Sequence, residues 1–103
     1  MKQQLTTYEK YAIISILSQI MKADGIIHPK EEEFMDQAYC ELGITINDLE
    51  GISNMDILET KHIIDGMSAT NKEYARKLFV GMAESDGFLH PREVDVINKI
   101  LNS

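Results

Sequence analysis

The chain has 103 residues, 44% hydrophobic and 26% charged, which is the size of one domain and the balance of an ordinary soluble globular protein. Its 17 acidic against 10 basic residues leave a net charge of −7, which repels phosphate backbones and argues against nucleic acid as a partner. The single cysteine, Cys40, excludes an internal disulfide and suits a reducing compartment, so the protein is expected in the cytoplasm.

The opening MKQQLTTYEK lacks the apolar core of a signal peptide. Thr6 and Glu9 form a capping-box pattern that predicts a helix from about residue 7 to 22. Its apolar positions, among them Tyr11, Ile13, Ile14, Ile16, Leu17 and Ile20, cover most of the circumference, which predicts a central helix. Ser15, Ser18 and Gln19 interrupt the run, and it is too short to span a bilayer. A second helix is predicted over about 29–42, with Phe34, Met35, Ala38, Tyr39 and Leu42 on one face and a stop at Gly43. Glu31, Glu32 and Glu33 crowd its first turn and read as a solvated start matched to the helix dipole. Cys40 reads as a buried small residue, with no neighbouring base to make it a nucleophile.

Thr45 or Asn47 is expected to cap a short helical turn through Leu49. Ser53 with Asp56 predicts a helix over about 54–65, with Met55, Leu58, Ile63, Ile64 and Met67 facing the core. His62 stands alone there and reads as a surface or packing residue. Thr70 and Glu73 repeat the capping box and predict a helix to about residue 84, with Tyr74, Ala75, Leu78, Phe79, Met82 and Ala83 inward. Gly81 in mid-helix costs about 1 kcal/mol relative to alanine and calls for a close helix–helix approach. A last helix is predicted over about 91–101.

One short stretch occurs twice. Residues 24–31 read DGIIHPKE and residues 86–93 read DGFLHPRE, an offset of 62 (86 − 24). Gly25 and Gly87 suit a positive φ at a helix stop, and Pro29 and Pro91 suit the first position of the next helix. The expected fold is an all-α bundle of about five to seven helices, a single domain over residues 1–103, with an internal pseudo-twofold repeat of two helix–loop–helix units. The candidate metal ligands are Asp24, His28 and Glu31 in the first copy, with Asp86, His90 and Glu93 in the second. Four carboxylates together suit a hard divalent ion such as Ca²⁺ or Mg²⁺, and the histidines shift preference toward Zn²⁺ or Mn²⁺. An EF-hand is a poor match, because its first ligand position would fall on apolar Ile20 and Met82.

The paired stretches KADGIIHPKE (22–31) and ESDGFLHPRE (84–93) resemble the A-D-G-x-[IV]-x-x-x-E segments of the tellurite-resistance TerB family and its TerB-like relatives. The resemblance implies an all-helical fold of about seven helices and a proposed metal-chelating role for the acidic loop residues, which fall here on Asp24, Glu31, Asp86 and Glu93. It also implies a link to stress or metal responses. The His-Pro pairs depart from the family's usual small polar or acidic residues. Two functional readings stand side by side. In one, the loops bind a divalent cation. In the other, they are structural caps, and the domain is a protein–protein adaptor. No phosphate-binding glycine loop or nucleophile elbow is present, so action by binding rather than catalysis is expected.

Overall fold

The computed structural model describes residues 5–22, 29–85 and 91–101. Six helices carry them: α1 (Thr7–Lys22), α2 (Pro29–Leu42), α3 (Ile46–Ser53), α4 (Ile57–Asp65), α5 (Ala69–Glu84) and α6 (Pro91–Leu101). No strand occurs among the described residues.

Helix α1 starts where its capping box dictates. The Thr6 N–H donates to Glu9 Oε1 at 2.9 Å, and the Glu9 N–H donates to Thr6 Oγ1 at 3.1 Å. Ala12, Ile13, Ile14, Ile16, Leu17 and Ile20 are all buried, and at about 100° per residue they spread over roughly 200° of the circumference. Each of the isoleucines and Leu17 contributes about 1.5–3 kcal/mol of burial. The consequence is positional: α1 packs against every one of the other five helices. Contacts of α5 with α2 and α6, and of α4 with α6, close the bundle around it.

Helix α2 ends in a Schellman motif. The Ile44 N–H donates to the Tyr39 carbonyl at 2.8 Å and the Gly43 N–H to the Cys40 carbonyl at 3.2 Å. This needs a left-handed residue, and Gly43 has φ +69°. Cys40 is exposed rather than buried. It stands 200° round the helix from buried Ala38, so it faces away from the core.

The connecting region departs from the sequence expectation in three places. Thr45 does cap α3, its N–H donating to Asp48 Oδ2 at 2.8 Å, but α3 continues to Ser53 rather than stopping at Leu49. Ser53 therefore ends one helix instead of opening another. Asp56 is the N-cap of α4, accepting from the Glu59 N–H at 2.8 Å. Thr60 and Ile64 take the buried face of α4, whereas Leu58 is 76% exposed. The Thr60 hydroxyl can be buried because it donates to the Asp56 carbonyl at 2.8 Å. Finally, α5 opens at Ser68, whose hydroxyl accepts from the Asn71 N–H at 3.2 Å, two residues before the expected Thr70 cap. Glu73 instead pairs with Arg76.

The bounds of α5 lie 62 residues after those of α1 (69 − 7 and 84 − 22), and α6 starts 62 after α2 (91 − 29). The aligned pairs Leu17/Phe79 and Ile20/Met82 are buried in both helices. Their surroundings differ, since α1 touches all five other helices and α5 packs mainly on α1, α2 and α6.

Candidate functional site

The buried stripe of α2 is Glu31, Met35, Ala38 and Leu42, spaced i, i+4, i+7 and i+11. Three of these are what an inward helix face requires. The fourth is a carboxylic acid with no exposed surface. Neither Glu31 Oε1 nor Oε2 has a hydrogen-bond partner among the described residues. Glu32 and Glu33 are exposed, as a solvated helix start would be, so Glu31 alone departs from that expectation. An ionised carboxylate taken out of water costs several kcal/mol unless a cation or donors replace the lost hydration. A buried polar group left without a partner calls for an explanation.

Glu31 is the last residue of the first repeated stretch and lies in the first turn of α2. Asp24 and His28 in that loop, and Asp86 and His90 in the second, lie outside the described residues, as do Gly25 and Gly87. Glu93 falls in the first turn of α6. Residues that flank the two loops do meet. An open groove of about 420 Å³ between α2 and α5 is lined by Lys30, Glu33, Phe34 and Gln37 on one side and Gly81, Glu84 and Ser85 on the other. Lys30 belongs to the first repeated stretch, at the start of α2, and Ser85 is the residue before the second. The start of α2 and the end of α5 therefore sit side by side. At the floor of this groove Gly81 lets the helices approach: a Cβ there would lie 2.9 Å from Phe34 Cζ.

Elsewhere the electrostatics serve helix docking. Tyr11 on α1 donates its hydroxyl to Asp48 Oδ1 on α3 at 2.6 Å. That bond, with those from the Thr45 N–H and hydroxyl, holds the Asp48 carboxyl below the usual carboxylate range and raises the Tyr11 phenol. Tyr74 on α5 donates to Glu41 on α2 at 2.6 Å. Burial first, and then this bond, raises the Tyr74 phenol well above its ordinary value. Among the described residues no group of three or more His, Cys, Asp or Glu is placed to hold a metal, and His62 is exposed. No described helix is long and apolar enough to cross a membrane.

Reading residue types along the first turn of α2 does not single out Glu31 from its two neighbours. The signal that does so is phase, since of the three glutamates only Glu31 stands both four before Met35 and seven before Ala38.

No curated protein and no solved structure matches the chain. The family model described as Tellurite resistance protein TerB matches residues 1–54. That match takes in more than half of the 103 residues, including the first loop, the Glu31 helix and the capping box that opens α1. Together with an all-helical bundle whose main helices start at a fixed offset, it shows that the chain belongs to the TerB family.

Proposed function

We propose that this TerB domain binds a divalent cation through its two acidic loops, with Glu31 as the innermost ligand, and acts by binding rather than catalysis. The observation that carries this reading is the fully buried Glu31 carboxylate with two unpartnered oxygens. A hard cation is the partner such a group lacks, and the donor set fits one: Glu31 with Asp24, Asp86 and Glu93 supplies carboxylate oxygens, while His28 and His90 offer nitrogen. The shared groove supports the reading, because it sets the start of α2 beside the end of α5. Bound there, a cation supplies the charge that Glu31 needs and ties α2 to the loops. Such binding suits a cytoplasmic domain that reports stress or metal supply to a protein partner.

The test is calorimetric titration of metal-stripped protein with Ca²⁺, Mg²⁺, Mn²⁺ and Zn²⁺. Glu31→Gln and the double variant Asp24→Asn/Asp86→Asn run in parallel, with circular dichroism checking that both remain helical. Micromolar binding by the native chain, lost in the double variant and weakened at least about tenfold in Glu31→Gln, is expected. Folded protein that binds none of the four ions would overturn the reading.

A further inference from the structure

We infer that the α3–α4 face is a docking surface for a basic amphipathic segment of a partner protein. The inference is independent of the cation site.

Among the described residues five large apolar side chains are exposed, and four of them fall within residues 46–58: Ile46 (82%), Leu49 (37%), Ile57 (48%) and Leu58 (76%). Scattered exposed apolar residues need no explanation, but a cluster in thirteen consecutive positions does. Only three residues join α3 to α4, and both helices lie against α1, so the four side chains are carried by consecutive helices. The fifth, Tyr8 (65%), stands one turn before Tyr11, whose hydroxyl holds α3 through Asp48. The inward side of α3 is already satisfied by buried Ile52 and by Asp48, and Ile46 and Leu49 are left exposed among the described residues.

Charge selects the occupant. From the start of α3 to the end of α4, residues 46–65 contain five Asp or Glu and one basic residue, Lys61, a net charge of −4 with His62 neutral. The apolar cluster therefore sits inside the acidic segment, alongside exposed Glu50, Asp56 and Glu59. A second copy of this face would bring like charges together, and an anionic lipid surface or a nucleic acid would be repelled. A segment with apolar residues at helical spacing, flanked by lysines or arginines, satisfies both the exposed aliphatics and the carboxylates around them.

The probe is a fluorescein-labelled synthetic peptide of Leu and Lys, with Leu at i, i+3, i+4 and i+7. It is titrated by anisotropy in EDTA so that cation binding does not enter. Controls are a scrambled peptide of the same composition and the native chain against Ile46→Ser/Leu58→Ser, whose exposed positions leave the fold intact. The expected result is micromolar binding that is at least about tenfold tighter than for the scramble, falls at least about tenfold in the double variant, and weakens as salt rises. Equal binding of the scramble, unchanged affinity in the double variant, or no binding at all would overturn it. So would self-association in sedimentation equilibrium, or adsorption to phosphatidylglycerol vesicles, if either is abolished by Ile46→Ser/Leu58→Ser.

Discussion

Replacing Gly81 by alanine sets two effects of known sign against each other. Alanine in mid-helix is favoured over glycine by about 1 kcal/mol. Against this, the new methyl would sit 2.9 Å from Phe34 Cζ and 3.0 Å from Cε2. Carbon atoms rest at about 3.5–4.0 Å, so the ring would have to retreat by roughly 0.5–1 Å. Phe34 is half-buried and borders the open groove, so it can pivot, but only by giving up contact with α5. Overpacking of this kind costs about 1–3 kcal/mol. The net expectation is a loss of about 1 kcal/mol in Gly81→Ala, read by urea unfolding as a lower midpoint at unchanged slope. The decisive arm is the Phe34→Ala background. There the clash is absent and Gly81→Ala should stabilise by about 1 kcal/mol, giving a coupling of about 2 kcal/mol. If Gly81→Ala stabilises the native protein as much as it stabilises Phe34→Ala, the close approach of α2 and α5 is not what holds glycine at this position.

The helix caps offer a paired test: Ser68→Ala should cost about 1 kcal/mol and Thr70→Ala less than about 0.5 kcal/mol, measured by thermal unfolding. Phe79 has no exposed surface, so Phe79→Ala should cost about 3–5 kcal/mol and take most of the stability of a domain this size. Gly43→Ala forces a left-handed alanine at φ +69° and should lower stability by about 1–2 kcal/mol, although nothing stands within 4 Å of the added carbon. Asp48 has its carboxyl held below the usual range in the folded state, so its contribution is present above about pH 4 and is lost as pH falls through the folded value. Tyr11→Phe should therefore flatten the acid limb of a melting-temperature profile, and a limb left unchanged would show that the Tyr11 hydroxyl does not set the Asp48 carboxyl.

Helix positions were legible in the sequence wherever backbone chemistry is unambiguous. Thr6 with Glu9, Pro29, Gly43 and Pro91 each mark a terminus, and the structure places one there. They were less legible where two polar residues compete for one cap. Ser53 and Asp56, or Ser68 and Thr70, are both chemically able, and tertiary packing decides between them. Burial on α4 was misread at Leu58 because apolar residues occur on two of its faces, and only one face can meet α1. The feature of the site that was missed is the burial of Glu31. Residue type assigns it to solvent with Glu32 and Glu33, while helical phase assigns it to the core with Met35, and the two rules conflict at that one position.

The place of α1 also decides how the chain can fold. Its partners are spread over the full sequence, from α2, which follows at once, to α6, which begins about 70 residues after α1 ends. Most small helical bundles gain stability from neighbouring hairpins that form early. Here the isoleucine-rich axis remains uncovered until the last helix has been made, which raises the mean loop that must close and slows the search. A fragment ending at residue 54 would keep α1, α2 and α3 but lose the covers supplied by α4, α5 and α6, leaving sticky aliphatic surface in water. The half of the sequence that carries the family signature is thus not a half that stands alone, and unfolding should be a single cooperative event with no surviving N-terminal subdomain.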